Sequence, residues 1–358
     1  QTILDRIVQG AIFTQLSSFA ETLYSEALTS YRKGCSVYTT ANSIRNCFKS
    51  HRSKHTNNKV DLYILRSDIQ SYANTVPLDN QSPLWEMLKG LLLSIDPDNP
   101  ATDYLHQLIR QSINPTFINR DGIKQRNDIG LPYGSKMAGF IYNFYINSVD
   151  HKIAKIPGIF YQRYCDDIFI CHENREKVLE AGQIFSDSLS EHGLTVNSAK
   201  NKWMYLTLAG RSCTADPQFK GSTNLDFLGF SIQADGTIRL KKRHTRKFMK
   251  TLHRRIQAAG YLTRNDSLDD RGQAVCQAVR NSLSRNHCVS LPKYISMIEF
   301  NDDRQQLKQL DHQIALWASQ AITGINNMAT LRKVPPKMMK NRWGLPSLCH
   351  LRNKGAGH

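Results

Sequence analysis

Apolar positions recur at helical spacing from the first residues of the chain. Ile3, Ile7, Ile12, Leu16 and Phe19 predict a helix over 3–27, uninterrupted by proline. A glycine turn at 31–35 precedes a second helix, about Ser36 to Lys49. Leu62, Ile64 and Leu65 then read as an apolar strand ending at Asp68, and Tyr72 and Val76 as a short helix that stops before Pro77. Residues 80–113 read as two helices around the turn DPDNP, packed through Trp85, Leu88, Leu91 and Leu92, then Leu105, Leu108 and Ile109. A glycine-containing loop, 130–134, leads into one helix with Met137, Ile141, Tyr145 and Val149 on a single stripe.

Residues 158–173 predict strand, tight turn, strand, with Ile159, Tyr161, Ile168 and Ile170 as the wall and Asp166 and Asp167 at the turn. A helix over 174–192 ends at His192-Gly193. Residues 194–206 read as strand, turn and strand. A polar loop spans 210–224, and a hairpin spans 225–240 with its turn at Ala234-Asp235-Gly236. The remainder is helical, at 241–260, 268–284 and 303–323. The basic tail, 331–358, is rich in Pro and Gly and is expected to order only on a partner.

Composition sharpens this α+β pattern. The 358 residues are 40% hydrophobic, enough for several cores, and the net charge of +17 calls for a polyanionic partner, nucleic acid before an anionic membrane surface. No apolar run of about 18 residues predicts a bilayer span, and no signal-peptide pattern opens the chain. Eight scattered cysteines without a CxxC pair read as reduced thiols of a cytoplasmic protein. A bridge between Cys165 and Cys171 is the less favoured alternative.

Adjacent carboxylates repel, and a divalent ion is the simplest reason to hold Asp166 and Asp167 together, although an Asp-Asp turn is also a common solvated loop. Asp68, at the end of an apolar strand, is the third candidate ligand. Basic residues cluster at Arg32, Lys33, Arg45, Lys49, Arg52 and Lys54. They cluster again at Lys241, Lys242, Arg243, Arg246, Lys247 and Arg254, where a helix suits a duplex backbone.

The ordered series resembles a reverse transcriptase over most of 5–232. DRIVQGAIF (5–13) resembles the fingers helix of the group II intron and bacterial branch, and YRKGCS (31–36) its aromatic-Arg-Pro-Gly-Arg-Ser segment, departing at Lys33 and Cys35. SDIQSY (67–72) resembles the first palm motif. GLPYGSKMAGFIYN (130–143) resembles the template- and nucleotide-positioning motif, with Tyr133 where glutamine is common. RYCDD (163–167) resembles the aromatic-x-Asp-Asp signature, GLTVNSAK (193–200) the next palm motif, and FLGF (227–230) the primer grip.

The resemblance implies an α+β right-hand polymerase: partial fingers over 1–60, palm over 61–79, a helical insertion over 80–125, palm with primer grip over 126–232, and a basic helical thumb and tail over 233–358. It implies an RNA-directed DNA polymerase using Mg²⁺, with Mn²⁺ as an alternative. Asp68 and Asp166 would be the main metal ligands and Asp167 would support them. Lys200 would serve the leaving pyrophosphate. Ile69, Gln70, Tyr72, Ala73, Gly134, Ser135 and Asn143 would contact nucleotide or template, and Phe227, Leu228, Gly229 and Phe230 would hold the primer end.

The character is closest to the defence-associated, abortive-infection enzymes. That implies a noncoding RNA as template or scaffold, dNTP substrates, a DNA product and no membrane, and it leaves a homo-oligomer open. A truncated intron-type enzyme and an inactive RNA-binding protein are the alternatives; the retron Val-Thr-Gly is absent. The family normally carries a further basic fingers segment before DRIVQ, so a longer parent protein or reduced fingers is expected. Ala73 stands where the family usually has an aromatic residue that excludes a ribose 2′-hydroxyl.

Overall fold

The computed structural model describes residues 3–55, 60–131, 136–207, 216–284 and 292–355. The chain forms two compact units, 1–223 and 224–358.

The first unit begins with α1 (Ile3–Ala20) and α2 (Val37–Lys54). The first helix ends earlier than its apolar pattern predicts, in turns that close on Ser17, Phe19 and Ala20 carbonyls. Ser36 caps α2 by accepting from the Tyr38 and Thr39 amides, while Thr39 reaches back to the Ser36 amide, a reciprocal capping box. Next come β1 (Leu62–Asp68), α3 (Tyr72–Thr75), α4 (Pro83–Ile95), α5 (Thr102–Ile113) and the ribbon β2 (Phe117–Ile118) with β3 (Lys124–Gln125). The stripe through Met137 and Val149 is split into α6 (Lys136–Phe144) and α7 (Asn147–Ala154), although all four stripe residues are buried as expected. Then follow β4 (Phe160–Tyr164), β5 (Asp167–His172), α8 (Arg175–Glu191), β6 (Lys202–Leu206) and β7 (Lys220–Ser222).

These strands make one sheet in the order β4-β5-β1-β6-β7, antiparallel except for the parallel β6-β7 pair. Leu65, Ile168, Ile170 and Tyr161 alternate onto the face that joins the main core with Phe140, Ile141, Val178 and Phe185. The opposite face carries Arg66, Asp68, Asp167 and Phe169, and Phe48 of α2 packs on Phe169. Val196 contributes only an isolated bridge to Ile69 in place of the first strand expected in 194–206.

The second unit opens with β8 (Asn224–Phe227), β9 (Phe230–Gln233) and β10 (Ile238–Leu240). The expected single hairpin is thus two, the first turning at Leu228-Gly229, where both residues take positive φ (45° and 94°). The helices are α9 (Lys242–Leu262), α10 (Leu268–Ser282), α11 (Pro292–Glu299), α12 (Arg304–Thr323), α13 (Thr330–Lys333), α14 (Pro336–Trp343) and α15 (Leu348–Gly355). The tail therefore folds against its own unit: Met339, Trp343 and Leu348 are buried, and α14 packs on α10. Its Pro and Gly are helix punctuation. Pro336 starts α14 and Gly344 closes it in the left-handed region. Cys35, Cys47, Cys165, Cys171, Cys276 and Cys349 are free thiols, so no bridge joins Cys165 to Cys171.

Candidate active site

The hairpin of β4 and β5 turns through two residues, Cys165 and Asp166, between the paired Tyr164 and Asp167. Cys165 takes φ +58° to make the turn. The cost of a left-handed non-glycine residue is met by fixing its neighbours. The Cys165 amide donates to Ser30 Oγ (2.9 Å), and Ser30 in turn donates to Asn143 Oδ1 (2.9 Å) while its carbonyl accepts from Asn143 Nδ2 (2.7 Å). Asn143 is thereby enclosed, with both ends of its amide engaged.

Arg163 secures the turn from beneath. It is fully buried and paired with Asp150 of α7, Nε donating to Oδ1 (2.8 Å) and Oδ2 (3.0 Å). Its Nη1 also donates to the carbonyl of Tyr142 (3.2 Å), and its Nη2 to that of Asn143 (3.1 Å). Tyr161 Oη donates to the same Asp150 (2.6 Å), and Tyr72 Oη donates to Tyr142 O (2.9 Å). The carbonyls exposed where α6 stops are thus satisfied by the residues around the Asp166 turn.

Asp68 ends β1 directly opposite Asp167 in the antiparallel register, and the Ile69 amide donates to Asp166 O (3.2 Å). The sheet brings Asp68, Asp166 and Asp167 to one end of two neighbouring strands. Asp68 is only 5% exposed. Lys200 Nζ donates to its Oδ1 (3.0 Å) and Oδ2 (2.9 Å), and Asn197 Nδ2 to Oδ1 (3.1 Å). The turn at 197–200 carries both donors, with the Asn197 amide also bonded to Asp68 O (2.8 Å). Arg66 Nη2 lies 3.5 Å from Asp167 Oδ1.

Burial pushes the Asp166 carboxyl above its ordinary value, and the charges of Asp167 and Asp68 push it further. Burial likewise raises Asp167, against the opposing pull of Arg66, and Asp68 adds to the rise. The hydrogen bond to Asp68 raises Lys200, which stays protonated at neutral pH. This is a set of hard oxygen donors whose negative charges are crowded, with the Lys200 ammonium bonded to one of them. Hard oxygen donors of this type are the ligands that Mg²⁺ takes.

The other sequence-selected residues divide sharply. Gly134 and Ser135 lie outside the described residues. The Ile69 amide serves Asp166 O, and the Gln70 amide serves Thr195 O (2.9 Å). Tyr72 is buried, and Ala73 is half-exposed on α3. Phe227 and Phe230 are wholly buried in the second unit, with Phe230 edge-on to Phe300, so only Leu228 of that motif reaches the surface in part. Arg32 is engaged within the fold, Nε donating to Glu21 (2.6 Å) and Nη1 to the Ser25 and Leu28 carbonyls (3.0 Å each). Arg45 bonds to Asn42, and Lys241 lies 3.8 Å from Asp226. Lys242, Arg243, Arg246, Lys247 and Arg254 are exposed along α9, opposite its buried Phe248, Leu252 and Ile256.

Sequence reasoning missed the Ser30–Asn143 lock and the Arg163–Asp150 pair. It also missed a cluster at the end of α2: among the described residues, His51, His55 and Glu173 place ligand atoms within 4.8 Å of one another and are able to hold a metal ion. Among the described residues no helix is long and apolar enough to cross a membrane.

Among solved structures, the chain matches apo telomerase from Candida tropicalis truncated of its C-terminal domain. It is 15% identical, covered over 66% of this chain and 45% of that one, with a TM-score of 0.48. Telomerase from Candida albicans in complex with a telomeric RNA fragment is 12% identical, over 94% and 56% of the two chains, with a TM-score of 0.46. The RNA-dependent RNA polymerase of a human picobirnavirus is 13% identical, over 95% and 58%, with a TM-score of 0.39. The chain thus spans about half the length of these structures. No curated protein matches it. The family described as reverse transcriptase (RNA-dependent DNA polymerase) matches residues 1–232, well over half of the chain. The chain, α+β in its secondary structure and with a polymerase-type fold, belongs to the reverse transcriptase family.

Proposed function

We propose that the protein is an RNA-directed DNA polymerase that extends a primer hydroxyl with dNTPs. The observation that carries this reading is the convergence of Asp68 with Asp166 and Asp167 across the β1-β5 register, with Lys200 on Asp68. Asp68 and Asp166 are the residues to hold Mg²⁺ (or Mn²⁺), with Asp167 in support. Bound there, the metal lowers the pKa of the attacking hydroxyl and neutralises the triphosphate.

The chain's own residues do the rest. Lys200 Nζ, released from Asp68, gives a proton to the leaving pyrophosphate. With the Ile69 and Gln70 amides taken, phosphate contact from this stretch falls to Ser71, Tyr72 and Ala73. Gly134 and Ser135 position template and nucleotide. Asn143 acts through Ser30 to hold the Asp166 turn. The turn of FLGF meets the primer end, and α9 follows the duplex backbone.

In this proposal the template or scaffold is a noncoding RNA and the setting is bacterial antiviral defence, a role carried by the character of the motif series. A truncated intron-type enzyme is the alternative, and the copurified RNA distinguishes the two.

The test is incorporation of labelled nucleotides in Mg²⁺ by the full chain with its copurified nucleic acid, each dNTP and rNTP alone and together. Wild type makes a product and Asp166→Ala makes none, and sequencing identifies template and primer. Product that survives in Asp68→Ala or Asp166→Ala at wild-type level overturns the metal assignment. Tightly bound RNA with no incorporation under any of these conditions returns the protein to the RNA-binding class.

A further inference from the structure

The C-terminal end of α2 and the residue that follows β5 meet at a second group of donors, at the opposite end of β5 from the Asp166 turn. His51 lies in the last turn of α2 and His55 is the residue that closes it, its amide donating to the His51 carbonyl. Glu173 arrives from a position 118 residues later in the chain. His51 Nδ1 is 3.3 Å from Glu173 Oε1, and His55 Nε2 is 2.9 Å from the same oxygen. The imidazole centroids lie 4.9 Å apart with the ring planes tilted by 52°.

The other nitrogen of His51 fixes the chemistry. Nε2 lies 3.0 Å from the Val60 carbonyl, which only accepts, so Nε2 carries the hydrogen. In the neutral ring, Nδ1 then aims a lone pair at a carboxylate oxygen, and two acceptors face one another. A cation between them resolves the conflict: either a proton on Nδ1 or a metal ion. A ligating histidine whose second nitrogen donates to a backbone carbonyl is the common outer-sphere arrangement of zinc sites.

The spacing agrees with a metal. Tetrahedral Zn²⁺ with N and O ligands at about 2.0–2.1 Å sets its ligand atoms about 3.3 Å apart. The His51–Glu173 separation of 3.3 Å matches this, His55 Nε2 is 2.9 Å from the same carboxylate oxygen, and the ligand atoms of all three residues lie within 4.8 Å of one another. Two imidazoles and one carboxylate suit a borderline d-block ion, whereas an all-oxygen set suits Mg²⁺. A cavity of about 470 Å³, lined by Cys47, His51, Lys54, Phe160, His172 and Glu173, gives an entry path and room for a water ligand. Lys54, now 3.2 Å from Glu173 Oε1, is largely exposed and free to swing away.

We propose that His51, His55 and Glu173 form a Zn²⁺ site that clasps the end of α2 to the β5–α8 connection. The inference is independent of the polymerase reading, because its readouts are metal uptake and ligation.

The experiment titrates the metal-stripped full chain with Co²⁺ and then Zn²⁺, in excess Mg²⁺ to saturate any oxygen site. Wild type and Asp166→Ala each take up one Co²⁺ with visible ligand-field absorption, which Zn²⁺ displaces. His55→Gln and Glu173→Gln weaken uptake by about 100-fold or more, beyond the 10–100-fold typical of an outer-sphere loss. Both altered side chains are partly exposed, and unchanged circular dichroism establishes that they fold. X-ray absorption on the wild-type zinc complex needs no variant: N/O ligation with imidazole scattering is expected. No stoichiometric uptake, uptake unaffected by both substitutions, uptake lost with Asp166→Ala, or zinc–sulfur scattering each overturns the site.

Discussion

Asp166 carries a charge that its surroundings disfavour. Its carboxyl is raised, so the folded protein holds that proton more tightly than the unfolded chain does, and ionisation works against folding. The associated stability is present below the ordinary carboxylate range and is lost as pH rises through the raised folded value. Asp166→Asn removes this penalty. In metal-free buffer the variant is expected to be more stable than wild type at pH 7, with the difference closing as pH falls below the ordinary value of 3.8. Urea unfolding at several pH values checks this, and a variant less stable at pH 7 refutes it. Ala73, half-exposed on α3, supports a second residue-scale expectation. Ala73→Phe raises the preference for dNTPs over rNTPs, and a strong, equal preference in both proteins shows that another side chain forms the sugar wall. The three aspartates and Lys200 were legible because each sits in a motif of adjacent residues. Ser30 and Asn143, 113 residues apart, and Arg163 and Asp150, 13 apart on β4 and α7, were not legible as partners, because hydrogen bonds between separate elements leave no local pattern. His51 and His55 stand four residues apart in plain view, but Glu173, the third member of their cluster, is equally remote.

At the scale of elements, periodicity carried the helices, and tertiary partners decided where they stop. The stripe from Met137 to Val149 has no internal break signal; Arg163 and Tyr72 accept the role of partner for the Tyr142 and Asn143 carbonyls where α6 ends. The parallel strand β7 escaped because its three residues, Lys220–Ser222, lack an apolar pattern, and β8 because its turn at Leu228-Gly229 was read as part of a motif. The tail was misjudged by composition. Its docking turns on Gly272 of α10, where an added methyl would fall on the Trp343 ring of α14. Gly272→Ala improves helix propensity yet is expected to lower the stability of the second unit by about 1–3 kcal/mol, the usual cost of overpacking. Chemical denaturation followed by Trp fluorescence measures it, and a neutral or stabilising effect contradicts close packing of the tail.

For the whole molecule, the sign and placement of charge matter more than the total. A net charge of +17 attracts any polyanion, but α9 concentrates exposed Arg243, Arg246, Lys247, Lys250 and Arg254 on the side away from its buried stripe. A helix so divided uses its apolar face to hold its own unit, leaving the basic face for phosphates at positions about one turn apart. Each phosphate neutralised on a duplex adds about 0.9 to the slope of log affinity against log salt. If α9 tracks a duplex, the triple substitution Arg246→Gln, Lys247→Gln, Arg254→Gln reduces that slope by about 2–3, with little change between sequences, because backbone contacts carry no base information. Fluorescence anisotropy on an RNA–DNA heteroduplex across a salt series reads the slope directly. Equal slopes would place duplex binding elsewhere on the molecule. A reduced slope on heteroduplex that is absent on single strands would assign α9 to the product duplex, where a polymerase needs its grip to be indifferent to sequence.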